Sequence, residues 1–164
     1  APSAIITPVP LPSDFDPTTA NFDILSAMSA SGSSYNKADG NTGDINESET
    51  ITILKLDPRK EEAYLEAPVP AGVAGATKLS MVAVSWKGDS AEIIVTIKNG
   101  GTINGQESVS FTAPSNDGAS STAPFHLNNL TEYYEFTLDG ITDESVIRIE
   151  AKSKRALVAA VNFE

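Results

Sequence analysis

A chain of 164 residues with 22 acidic and 11 basic side chains, a net charge of -11 and no cysteine excludes disulfides, thiolate metal sites and Cys nucleophiles. The length fits one domain whose core needs no covalent staple. The charge speaks against binding to phosphate backbones and anionic membranes, and no apolar run nears the roughly 20 residues that span a bilayer.

Residues 1–17 (APSAIITPVPLPSDFDP) carry half of the prolines. Each removes a backbone donor and disfavours helix in the residue before it, so this stretch reads as an extended arm or linker preceding a domain at 18–164. Ala4–Val9 holds Ile5, Ile6 and Val9 and has the character of a strand that adds to a neighbour's sheet edge, a route to self-association through residues 4–9. The chain opens at Ala1 and not at Met, which fits a processed export product.

Phe22–Ala27 (FDILSA) reads as a first core strand. Ser29–Glu49, rich in Ser, Gly, Asn and Asp, reads as a long loop with a short strand near Ser33–Asn36. Thr50–Leu56 alternates as a strand, Asp57-Pro58 breaks it, and Ala63–Glu66 returns to the sheet. Lys78–Trp86 (KLSMVAVSW) and Ala91–Lys98 (AEIIVTIK) pair through the turn at Lys87–Ser90. Asn99-Gly100-Gly101 and Asn104-Gly105 mark reversals where positive φ is cheap. Glu107–Thr112 is a shorter strand, and Ala113–Ala123 a second polar loop.

In the closing stretch, Tyr134, Phe136 and Leu138 share one face of a strand, and Tyr133, Glu135 and Thr137 share the other, the period-two pattern of a half-buried strand. Asp139-Gly140 turns the chain, Ile147, Ile149 and Ala151 alternate with Arg148, Glu150 and Lys152, and Leu157–Val161 fits a strand buried on both sides. About nine strands at short spacing predict an all-β fold, an antiparallel β-sandwich of jelly-roll type. The expected core comprises Phe22, Ile53, Leu79, Met81, Ile93, Val95, Phe111, Tyr134, Phe136, Ile147, Ile149, Leu157 and Val161.

The motifs AYLEAP, LSMVAVSWKGDSAEIIVTI, YYEFTLDGITDESVIRIEA and KRALVAAVNF, together covering Ala63–Phe163, resemble the jelly-roll accessory modules of secreted and cell-surface proteins of Bacteroidota. The resemblance implies a secreted or cell-surface location and a carbohydrate-binding-like module. Ala159-Ala160 stands where many such modules carry paired acids, so a calcium site at that position is not carried over.

The chemistry-bearing residues favour binding over catalysis. The sole histidine, His126, has no Gly-x-Ser-x-Gly elbow to serve. The acids mostly flank turns or alternate outward, as on a soluble surface, so no enzyme is expected. Asp39, Asn41 and Asp44 offer hard oxygen ligands for calcium in a Gly-rich stretch, off the register of an EF-hand; no other cofactor is expected. Sugars pack their C–H faces on exposed rings beside amide and carboxylate groups. The residues suited to this are Tyr35, Trp86, Phe125, Asn128 and Tyr133, with Asn36, Asn41, Asn116 and Asn129 around them. The expected partner is a polysaccharide or a cell-surface component, with neither nucleic acid nor membrane insertion, in a binding or adhesion role. A structural subunit of a surface fibre, using the arm, is the other expectation.

Overall fold

The computed structural model describes residues 6–88, 90–116, 122–128 and 130–164. Among these are thirteen strands: β1 (Val9–Pro10), β2 (Ser34–Asn36), β3 (Ala38–Ile45), β4 (Ile51–Leu56), β5 (Ala63–Pro68), β6 (Lys78–Ser85), β7 (Glu92–Lys98), β8 (Thr102–Ile103), β9 (Ser108–Thr112), β10 (Phe125–Leu127), β11 (Glu132–Asp139), β12 (Val146–Lys152) and β13 (Ala156–Phe163). A 3-10 turn at Pro17–Thr19 and one helix, α1 (Ile24–Ser29), precede β2. The nine strands of five residues or more carry the architecture. The other four are edge additions.

The larger sheet runs β1-β11-β6-β13-β4-β3-β10, with β8 also on β11, and the smaller runs β2-β5-β12-β7-β9. Within them, β4-β13-β6-β11 faces β5-β12-β7-β9. Among the nine longer strands, the chain crosses between sheets at β4 to β5, β5 to β6, β6 to β7, β9 to β11, β11 to β12 and β12 to β13. This is the winding of a jelly roll, so the all-β antiparallel sandwich is the observed fold. One neighbouring pair, β10 with β3, is parallel.

Two apolar layers result. The first lies between the sheets and takes Leu79, Met81, Ile93, Val95, Phe111, Tyr134, Phe136, Ile147, Ile149 and Val161. The second lies outside the larger sheet, where Ile53, Val82, Val84, Trp86, Tyr133, Leu157 and Ala159 are covered by Val9, Leu11 and Phe15 of the arm and by Phe125, Leu127 and Leu130. Every residue of the expected core is buried, but Ile53 and Leu157 belong to the outer layer. β13 serves both layers because of a bulge. Its register on β6 shifts between Ala159 and Asn162, and Ala160 sits at φ 53, so Val161 and Phe163 return to the inner face.

Two sequence expectations are corrected. Phe22–Ala27 is not a strand: Asp23 caps α1, its carboxylate accepting from the backbone N–H of Leu25 at 3.1 Å and of Ser26 at 3.4 Å. Ile24 and Ala27, three apart, then share the buried side of one helical turn. Nor is Ser29–Glu49 a loop, since β3 occupies its second half, paired with β4 on one side and β10 on the other. Gly43 makes this possible, because a Cβ there would stand 2.3 Å from Ile53 Cδ1 and 2.4 Å from the carbonyl oxygen of Phe125.

The arm is not a free spacer over its described part. Val9 pairs with Tyr133 and Pro10 with Glu132, and the Leu11 N–H donates to the Thr131 carbonyl at 2.9 Å. It closes the β11 edge of its own sheet. Ala4 and Ile5 of the expected strand-addition segment lie outside the described residues.

Candidate binding surface

The rings singled out from the sequence do not form a platform. Trp86 is 3 % exposed, Phe125 2 % and Tyr133 6 %. Trp86 and Phe125 meet edge to face at 5.4 Å, and Phe15 covers Tyr133 at 5.8 Å. Period two turned Tyr133 away from the inner core as expected, but the arm then buried it. The Tyr133 hydroxyl donates to Glu135, and burial, with that carboxylate beside it, pushes its pKa up to about 12. Tyr35 is 51 % exposed. It stands on the edge strand β2 in register with the core residue Leu65 and so shares no face with the others. Asn128 is exposed, Asn116 is buried, and Asn129 lies outside the described residues.

The proposed calcium ligands do not converge either. They belong to a strand, where successive side chains alternate, so Asp39 and Asn41 share one face of β3 and Asp44 takes the other. Asp44 is engaged with His126, Oδ2 to Nδ1 at 2.6 Å, across the parallel pair of β3 and β10. Among the described residues no three of His, Cys, Asp and Glu gather as metal ligands, and no helix is long and apolar enough to cross a membrane.

The free surface lies on the smaller sheet. Cross-strand register puts Tyr64 and Glu66 of β5, Arg148 and Glu150 of β12, Ile94 and Thr96 of β7, and Ser108 and Ser110 of β9 on one outward face. None of these residues is buried. Arg148 is its hub. The guanidinium carbon stands 3.9 Å from the centre of the Tyr64 ring, and its nitrogens reach Glu62 at 2.7 Å, Glu66 at 3.4 Å and Glu150 at 3.3 Å. Lys98 adds a bond to Glu66 at 2.7 Å.

A stacked, multiply bonded guanidinium is held in one geometry, and it fixes the Tyr64 ring beneath it. Lys98, followed by the smaller contribution of Arg148, holds the Glu66 carboxyl below its usual range. The sequence reading missed Tyr64 and Arg148 as site residues. Their signal was present in the outward positions of AYLE and VIRIEAK, but alternation does not tell a working face from a solvated one.

Fold and surface together define a jelly-roll β-sandwich with one sheet sealed outside by its own chain and the other left open. No protein-family model matches the chain, and no curated protein matches it.

Proposed function

We propose that the chain is a non-catalytic, extracellular binding or adhesion module that takes a glycan across the open face of the smaller sheet. The observation that carries this is the asymmetry of the sandwich. Strands β6 and β13 are buried almost throughout, while β5, β12, β7 and β9 alternate buried with open positions. The open positions hold a braced ring beside carboxylates and hydroxyls, the two kinds of group a sugar meets. Binding is favoured over hydrolysis because a general acid needs a raised carboxyl pKa, whereas Glu66 is shifted down and Glu62 and Glu150 are paired with Arg148.

A glycan array with the intact chain tests the reading. Binding that falls at least fivefold in Tyr64→Ala, with an unchanged melting temperature, is expected; an array with no hit, or hits indifferent to Tyr64→Ala, overturns it.

A second reading, a subunit of a surface assembly, rests on the two-residue pairing of Val9 and Pro10 with the β11 edge. So short a clip can be traded between copies. Equal solution mass with and without residues 1–17 rejects it.

A further inference from the structure

The unpaired cations of this acidic chain share one position. Arg59, Lys78, Lys98 and Arg148 each hold at least one carboxylate. Lys37, Lys55, Lys60, Lys152, Lys154 and Arg155 make no ion pair among the described residues. All six stand at one end of the sandwich.

That placement follows from strand register. Ala38, Leu56, Ala156 and Ser85 are successive partners across β3, β4, β13 and β6, so the turns beyond them meet. The Asp57 N–H donates to the Lys37 carbonyl at 3.0 Å, and the Trp86 N–H to the Arg155 carbonyl at 2.8 Å. Between the turns lies a cleft of about 470 Å³ lined by Lys37, Asp57, Arg59 and Lys60.

A solvated lysine fringe would borrow the carboxylates nearby; Asp39 and Glu92 stand in register with Lys55 and Lys152 without an ion pair among the described residues, and the carboxylates beside the cleft are committed elsewhere. Both Asp57 oxygens take the Arg59 fork at 2.8 Å. Glu62 turns to Arg148 at 2.7 Å and Glu61 accepts from Asn36 at 3.3 Å. Lys55 and Arg155 instead share one ring, at 4.4 Å and 4.9 Å from the centre of Trp86. The buried Nε of Arg155 has no hydrogen-bond partner.

We infer that this basic end binds an anionic glycan, its Lys37 and Lys60 side chains taking the sulfate or carboxylate groups of a sugar seated in the cleft. The sugar class rests on the glycan reading above; the charge is the new element. Asp57 keeps lone pairs that accept sugar hydroxyls. Trp86 is 3 % exposed beneath its two cations and offers no base-stacking surface. The overall charge of -11 further opposes a long nucleic acid.

The test is affinity electrophoresis of the intact chain in dextran sulfate, polygalacturonate and neutral dextran, with a single-stranded oligonucleotide as competitor. At least tenfold stronger retention by one anionic polysaccharide than by dextran is expected, weakening steeply with added salt. The double variants Lys37→Glu/Lys60→Glu and Lys60→Glu/Lys154→Glu should each lose it at least tenfold with unchanged melting temperature. The sulfate and uronate arms identify the anionic group. Retention unaltered in both variants overturns the inference, as does an oligonucleotide that displaces the polysaccharide. Neutral-glycan binding that only Tyr64→Ala abolishes overturns it while leaving the sheet-face reading intact, and the absence of any glycan binding overturns both.

Discussion

Phe15 and Tyr133 pack ring on ring with centroids 5.8 Å apart and planes inclined at 58°, joining the proline-rich arm to the outer face of the larger sheet. Phe15→Ala should therefore cost about 1–3 kcal/mol, less than the roughly 3–5 kcal/mol of a fully buried ring because Phe15 is only partly buried. Removal of residues 1–17 should in addition expose an apolar patch that binds a hydrophobic dye. Urea titration and dye fluorescence check this; an arm-free chain of full stability and no dye binding would refute the seal.

The single tryptophan reports on the same layer. Trp86 emission should be that of a buried indole with little acrylamide quenching, since the ring is 3 % exposed between Phe125, Lys55 and Arg155. Trp86→Ala should cost about 3–5 kcal/mol. Any loss of ligand retention in that variant should track unfolding.

Removing the hub of the open face should leave three carboxylates without their shared cation. Arg148→Met is expected to cost about 2 kcal/mol at pH 7, because Glu62, Glu66 and Glu150 lose a partner that lies within 3.4 Å of each. The share owed to Glu66, whose carboxyl is held below its usual range, should be lost at a pH low enough to protonate it. Equal deficits at pH 7 and at that low pH would show that only packing on Tyr64 was lost.

On the acid side, the Arg59 side chain draws the Asp57 pKa down to about 2. A carboxyl depressed in the folded state adds stability above its unfolded pKa, near 4, and that stability is lost as pH falls from 4 to 2. The pair is near the surface, so the term is under about 1 kcal/mol. Asp57→Asn should flatten the melting-temperature profile in that window, lowering the melting temperature by a constant amount above pH 5 and leaving it little changed below pH 2.

On the alkaline side the sign reverses. Tyr133 ionises near 12 in the folded chain and near 10 when unfolded, so the unfolded state alone sheds the proton between those values and stability falls as pH rises through them. Tyr133→Phe should reduce this alkaline loss, and ultraviolet titration should show two late tyrosines, Tyr133 and Tyr134, the second also raised by burial, of which the variant keeps only Tyr134.

Legibility in the sequence followed the reach of the forces involved. Strands such as β4, β7, β11 and β12 were readable because one buried face imposes period two on a few neighbouring residues. β3 was not: its Asp-Gly-Asn-Thr-Gly run has little strand propensity of its own and is held by β4 and β10 on either side. α1 was misread because Phe22 and Ile24 alternate like a strand, whereas the Asp23 cap outweighs so short a pattern. Tyr133 shows the limit most clearly. Local alternation set which way it faces, but Phe15, more than a hundred residues earlier in the chain, settled that it would be buried.

By itself, then, the amino-acid order determined the class of fold, most of the inner core and the direction of the faces of the alternating strands, because those follow from apolar burial repeated every second residue. Only the tertiary structure decided which outward face stays open and which cations stand together. Those outcomes depend on what the chain lays across a face from far away and on how strand register aligns distant turns, and neither leaves a periodic trace along the chain.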